Sequence, residues 1–170
     1  MDTAVGSPPT VAFRPVEDAD RPFLAGLYAS TRQEELAPVP WSAAEKEAFL
    51  AMQFEAQDRF YAEHFGDGDF RVVLVEGEPA GRLYLDPRPD EIRVVDIALL
   101  PAFRRRGIGR GLMRQVMSTA AASGRCVRIH VERNNPALRL YRRLGFREVD
   151  DQGVYLLMEW SPNATKEGAP

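Results

Sequence analysis

The sequence predicts an α+β domain, a mixed β-sheet carrying helices, with elements in the order β-α-α-β-β-β-α-β-α-β-β. Three observations carry that prediction. Two tight turns, Glu76-Gly77-Glu78-Pro79 and Asp86-Pro87-Arg88-Pro89-Asp90, join three β-rich segments into a consecutive antiparallel run. Past Pro101 the apolar spacing changes from alternation to steps of three and four, so a helix follows a strand. An apolar strand returns at 126–131, and a strand-helix-strand connection of this kind predicts parallel neighbours.

Taken in order, Val11-Ala12-Phe13-Arg14-Pro15-Val16 alternates as a first strand. A helix follows, which Asp18 or Asp20 can cap; Pro22 is tolerated in its first turn, and Phe23, Leu24, Leu27 and Tyr28 recur at helical spacing to about Glu35. After the loop Ala37-Pro38-Val39-Pro40, Ser42 and Glu45 form a capping box that opens a second helix, with Phe49, Met52, Ala56 and Phe60 as its expected inward stripe. Gly66-Asp67-Gly68-Asp69 ends it. Residues 70–76, 80–85 and 91–100 read as strands. Ile108, Leu112, Met113, Val116 and Met117 mark the next helix, which runs through Ala122 and stops at Gly124. Beyond the strand 126–131 come a helix containing Ala137, Leu138, Leu140, Tyr141 and Leu144, a Gly145 cap, and two strands, 146–149 and 153–160. The domain therefore spans 11–160, with residues 1–10 and 161–170 expected to be disordered tails.

A chain of 170 residues, 45% hydrophobic and 28% charged, fits one compact soluble domain. No run approaches eighteen apolar residues, and the first ten lack a secretory signal's basic and apolar regions, so the expectation is a cytoplasmic protein without a membrane partner. Cys126 is the single cysteine, which excludes an intramolecular disulfide and reads as a buried, inert thiol. The net charge of −3 argues against a nucleic-acid partner. The two histidines, His64 and His130, fall in different elements, and no ligand-spaced cluster predicts a metal.

Charge is nevertheless concentrated at one place. The segment 104–114 holds five arginines and no acidic residue. Within it Arg104-Arg105-Arg106-Gly107-Ile108-Gly109 follows a strand and opens a helix, where free backbone N–H groups and the positive helix end face outward. Glycine there permits backbone angles closed to other residues and clears the approach of a phosphate, which arginine can grip further. A solvated charge run is the alternative. No Gly-Lys-Ser/Thr follows, so this is not a nucleoside-triphosphate loop, and Leu112 stands where a dinucleotide fingerprint has its third glycine.

These residues resemble the GNAT superfamily of acyl-CoA N-acyltransferases. Its motif Arg/Gln-x-x-Gly-x-Gly/Ala matches Arg104 to Gly109, and its signature Asn-x-x-Ala-x-x-x-Tyr followed by Gly-Phe matches Asn134, Ala137, Tyr141 and Gly145-Phe146. The resemblance covers roughly residues 11 to 160 and implies the GNAT-like acyl-CoA N-acyltransferase fold and activity: acetyl transfer from acetyl-CoA, as co-substrate, to a primary amine of a small molecule or peptide. It implies that the pantetheine arm enters between splayed parallel strands and pairs with Ile97, Ala98, Leu99 and Leu100, with an oxyanion-stabilising N–H at about Leu99 or Leu100. Arg104, Arg105, Arg106, Gly107, Ile108, Gly109 and Arg110 would hold the pyrophosphate, while Asn134 and Ala137 would flank the pantetheine arm. Asn134-Asn135-Pro136 also reads as an ordinary helix start.

By the same resemblance Tyr141 is the general acid, protonating the departing thiolate. The base is less determinate. The strand position at which some family members carry a glutamate base falls near Arg93, which cannot serve. Glu91 and Asp96 flank it, Asp96 being the preferred candidate because a carboxylate is unusual amid its apolar neighbours; simple alternation sets it on the face opposite Glu91 and Arg93 unless a bulge intervenes. A structural role for Asp96, paired to Arg93 or Arg128, is the competing reading, and His130 is a further candidate base. Tyr28, Trp41, Phe49, Phe54, Tyr61 and Tyr84 are available to line an acceptor pocket. A non-catalytic acyl-CoA-binding module and an unrelated anion-binding domain are the alternatives, and a homodimer is left open.

Overall fold

The structure is a computed structural model and describes residues 7–164. Seven strands form one sheet: β1 (Val11–Pro15), β2 (Asp69–Val75), β3 (Glu78–Pro87), β4 (Glu91–Leu99), β5 (Cys126–Glu132), β6 (Arg147–Gln152) and β7 (Tyr155–Trp160). Their order across the sheet is β1-β2-β3-β4-β5-β7-β6. β4 and β5 are parallel and every other neighbouring pair is antiparallel. Four helices complete the chain: α1 (Arg21–Leu36), α2 (Ala43–His64), α3 (Ile108–Ala122) and α4 (Leu138–Arg143). The element order and the mixed sheet are those read from the sequence.

Local chemistry explains the joints. The β2–β3 hairpin turns on Glu76 and Gly77, both in the left-handed region (φ 50° and 82°), as a two-residue turn that matches strand twist requires. Ser42 Oγ accepts from the Glu45 N–H at 3.2 Å and Glu45 Oε2 accepts from the Ser42 N–H at 2.7 Å, closing the expected capping box of α2. At the start of α1 the Asp20 carboxylate receives both Arg14 terminal nitrogens, at 2.7 and 2.6 Å, and the Glu17 N–H at 2.8 Å.

The helices pack on opposite faces. Ile108, Leu112, Met113, Val116 and Ala120 of α3, with Leu138 and Tyr141 of α4, share a buried core with Leu83, Ile92, Val94, Val127, Ile129, Val131, Leu156 and Met158. Strand alternation turns Arg82 and Tyr84 the other way, toward α2. α1 and α2 meet there through Leu24, Tyr28 and Phe54.

The inward stripe of α2 differs from the expected one. Met52 and Phe60 are 58% and 49% exposed, whereas Phe54 is buried and Gln57 and Tyr61 reach the sheet. This helix carries apolar residues on two faces, so periodicity alone selected the wrong one. Cys126 is half-buried, its Sγ 3.7 Å from the Asp90 carbonyl, and not sealed in the core. Of the segments expected as tails, residues 1–6 and 165–170 lie outside the described residues. Thr10 is tied to Glu76 twice, its N–H donating to the side-chain Oε1 at 2.6 Å and its carbonyl accepting from the Glu76 backbone N–H at 2.9 Å.

Candidate active site

The parallel ladder between β4 and β5 is short. It runs from Glu91 and Cys126 to Val94 and Ile129, and no rung follows. The reason lies on the other side of β4. Leu85 pairs with Val94 but Tyr84 pairs with Asp96, so Val95 is an extra residue, a β-bulge that bends β4 away from β5. Residues 95–99 thus face a gap.

Backbone polarity inside the gap follows from one bond. The Leu100 N–H donates to the Ala80 carbonyl at 2.8 Å. Because successive antiparallel residues alternate in direction, Ala98 and Asp96 also turn their polar backbone groups toward β3, and Ile97 and Leu99 turn theirs into the gap. The expectation is corrected accordingly. Ala98 and Leu100 are not free backbone partners, and the available N–H groups are those of Ile97 and Leu99.

The basic turn lies just beyond. Pro101–Phe103 form a single 3-10 turn, Arg105 adopts φ 57°, and Gly107 caps α3 at φ 78°. The first helical bond of α3 runs from the Gly111 N–H to the Gly107 carbonyl at 3.0 Å, which leaves the N–H groups of Ile108, Gly109 and Arg110 unpaired within the helix. A Cβ added at Gly107 would meet nothing within 4 Å, so conformation rather than space demands glycine. Arg105, Arg106 and Arg110 are exposed, with Arg106 over the Phe103 ring at 5.6 Å. Arg104 is committed elsewhere. Its Nε donates to the Leu99 carbonyl at 2.8 Å and its Nη2 reaches the Ser30 hydroxyl at 3.3 Å, which ties the turn to β4 and α1.

Tyr141, on α4, belongs to the buried cluster against which Ile97 and Leu99 pack. It is buried, 4% exposed, with Phe146 at 5.7 Å between ring centroids. Burial, and then the negative charge of Asp96, push its phenol above the ordinary tyrosine range, so the hydroxyl stays protonated and can donate. The Asn135 side chain, not that of Asn134, makes the turn before α4, accepting the Ala137 N–H at 2.9 Å. Asn134 is exposed beside it.

A family model for the acetyltransferase (GNAT) family matches residues 27–146, which hold the bulge, the basic turn and Tyr141. The chain belongs to this family. An N-alpha-acetyltransferase of Sulfurisphaera tokodaii is 33% identical over 125 residues, an alignment covering 58% of this chain and 74% of the relative. Among solved structures, PaiA N-acetyltransferase from Thermoplasma acidophilum in complex with coenzyme A has a TM-score of 0.68 at 16% identity, covering 89% of this chain and 99% of that one. Arabidopsis thaliana Naa50 in complex with the bisubstrate analogue CoA-Ac-MVNAL has a TM-score of 0.59 at 18% identity, covering 89% and 98%. At these identities the structural likeness is one of fold. The enzyme is an acetyl-CoA-dependent N-acetyltransferase.

For this acetyltransferase the two candidate bases are now far from equivalent. Glu91 lies at the closed end of the parallel ladder, eight residues and roughly 26 Å of strand from Leu99. It is buried among arginines: Arg93 Nε at 3.0 Å, Arg88 at 3.4 Å and Arg128 at 3.5 Å. Its carboxylate is fully committed to that network and does not reach the gap. His130 lies at the outer edge of the same network, accepting from Arg93 at 3.3 Å, and partial desolvation of its ring, then the Arg93 charge, push it below the ordinary histidine range.

Asp96 is at the gap. The bulge returns it to the face of Tyr84 and Arg82, so it shares the side of Glu91 and Arg93 that simple alternation denied it. Neither Arg93 nor Arg128 pairs with it. Its Oδ2 accepts from Arg82 Nη2 and, at 3.1 Å, from the Tyr61 hydroxyl. Arg82 also donates to Gln57 Oε1 at 2.7 Å. Arg82 and Gln57 carry no signal in the sequence, where a strand arginine and a helix glutamine give no motif, and Tyr61 reads there only as an aromatic available to line a pocket. Of the expected aromatic lining, Tyr61 and Tyr84 surround this cluster, their rings 6.0 Å apart. Tyr28 and Phe49 line a cleft between α1 and α2 together with Arg32 and Leu36. Among the described residues no group of three or more metal-ligating side chains converges, and no helix is long and apolar enough to cross a membrane.

Proposed function

We propose that this enzyme transfers the acetyl group of acetyl-CoA to a primary amine of a small molecule or peptide by direct attack on the thioester, with a peptide α-amine as the favoured acceptor. The observation that carries the reading is the gap opened by the Val95 bulge. It exposes two backbone N–H groups, Ile97 and Leu99, between a carboxylate on β4 and a protonated phenol on α4. The pantetheine arm pairs with those backbone groups, and one N–H donates to the thioester carbonyl oxygen. Gly107, Ile108, Gly109 and the Arg105, Arg106 and Arg110 side chains take the pyrophosphate; Arg104 braces the turn that presents them. Asn134 and Ala137 border the arm.

In the reaction the amine nitrogen bonds to the carbonyl carbon and gives up a proton to Asp96, directly or through water. The C–S bond then breaks as Tyr141 delivers its proton to sulfur. The products are the N-acetyl amide and the free thiol of CoA, and solvent returns the proton to Tyr141 while removing the one on Asp96.

The peptide preference is supported by curated relatives named N-alpha-acetyltransferase from Sulfurisphaera tokodaii and Sulfolobus acidocaldarius, and by the fold shared with a structure bound to a peptide bisubstrate analogue. A panel of peptides with free or blocked N-termini, lysine side chains and small amines, followed by thiol release, tests it. Turnover with free N-terminal peptides and none with blocked ones is expected. Turnover confined to small amines would reassign the acceptor.

A further inference from the structure

The polar cluster beneath Asp96 is built around an arginine that is hard to account for as a stabilising residue. The Arg82 side chain is 4% exposed, in a strand interior where an aliphatic residue would pack without cost. It uses Nη2 for two acceptors, Asp96 and Gln57, while its Nε is buried with no hydrogen-bond partner among the described residues. The guanidinium lies over two aromatic rings set edge to face, 4.9 Å from the Tyr84 centroid and 5.8 Å from that of Tyr61, and Tyr84 in turn stacks on Phe70 at 4.1 Å. A side chain so restrained has one geometry to offer. Both bonds that reach Asp96, from Arg82 and from Tyr61, land on Oδ2. Asp96 keeps 17% of its side chain exposed.

We propose that Arg82 is a positioning residue for acetyl transfer: with Tyr61 it grips Asp96 by Oδ2 and so aims Oδ1 at the acceptor amine entering the gap beside Ile97. The proposal rests on Asp96 as the proton acceptor. The bulge gives such an anchor a purpose: Val95 has no partner on β3, and β4 has no rung to β5 beyond Val94, so the strand that carries Asp96 is held from the β3 side alone. Arg82 is the residue opposite Ala98, two positions beyond the bulge, and its rigid fork reaches back across the strand to do so.

Steady-state kinetics on Arg82→Met, Asp96→Asn and the double variant test this, with Arg82→Lys and Tyr61→Phe alongside. Arg82→Met should lower kcat/KM for the amine by about 100-fold, the loss a misplaced catalytic group produces, while acetyl-CoA affinity stays within about twofold. In the Asp96→Asn background the same substitution should cost less than about threefold, because the group it positions is gone. Arg82→Lys should recover part of the loss, and Tyr61→Phe should show a smaller loss that also vanishes in the Asp96→Asn background; this last variant keeps its ring packing and serves if Arg82→Met does not fold. Losses of equal size in both backgrounds would overturn the positioning role and leave Asp96 as base. An Asp96→Asn enzyme as fast as the parent would overturn both.

Discussion

Val94 and Ile129 form the last rung of the parallel ladder between β4 and β5. Every functional assignment depends on the strands parting there, since a continued ladder would consume the Ile97 and Leu99 backbone groups that the gap leaves open.

Tyr141→Phe removes the proposed proton donor while preserving the ring that packs on Phe146. Turnover should fall by about 100-fold, the lower range for a general acid, with acetyl-CoA affinity nearly unchanged. Single-turnover thiol release checks it, and an unaltered rate would remove Tyr141 from the mechanism.

Gly107→Val places a β-branched residue at φ 78°, where a side chain costs about 1–2 kcal/mol and the turn relaxes instead. Acetyl-CoA binding should be abolished. Because the site has room for a Cβ, Gly107→Asn, which tolerates that conformation, should bind within roughly tenfold of the parent. Calorimetric titration separates the two; equal losses would mean that space, not backbone angle, is limiting.

Gly81→Ala tests the opposite case. A Cβ there would collide with the Ala98 carbonyl and approach Leu99 Cδ2 at 2.8 Å. β3 and β4 would have to separate at the edge of the gap, so a loss of about 3 kcal/mol or more in stability is expected, as for other severe overpacking. Thermal unfolding with and without acetyl-CoA reads it out, and a Tm within a degree or two of the parent would contradict the β3–β4 register.

Stability should also fall at alkaline pH. Burial pushes the phenols of Tyr61, Tyr84 and Tyr141 above the ordinary value, with the Asp96 charge adding to the shift. Above about pH 10 the unfolded chain releases those protons while the folded one holds them, so the unfolded state binds fewer protons and stability declines with pH. The contribution is complete below about pH 10 and lost as pH rises toward the folded values. Denaturant titrations from pH 8 to 11 should show the decline; a flat profile would place the hydroxyls in water.

Much of this arrangement is legible in the chain because its signals are local. Gly107 and the arginines before it, the capping box of Ser42 and Glu45, and the period change after Pro101 each act within a few residues. The Val95 bulge leaves no such trace. Val94-Val95-Asp96 contains no glycine, and the extra residue exists only relative to Tyr84 and Leu85 on another strand. Hence simple alternation sets Asp96 on the wrong face, and Glu91 stays a second candidate base behind Asp96 until its arginine partners are placed. Arg82 carries no local signal for the same reason, since its significance comes from Asp96, Tyr61 and Gln57, which are remote in sequence. α2 misled because Phe49, Met52, Ala56 and Phe60 form an apolar stripe as regular as the one that Phe54 actually buries.

The most direct test is an acetyl-CoA titration of the ¹⁵N-labelled enzyme followed by backbone amide shifts. Saturable shifts should concentrate at Ile97, Leu99, Gly107, Ile108 and Gly109, with Val72 and Val127 nearly still. Binding that leaves Ile97 and Leu99 unmoved, or no binding at all, would contradict the gap between β4 and β5 as the cofactor cleft.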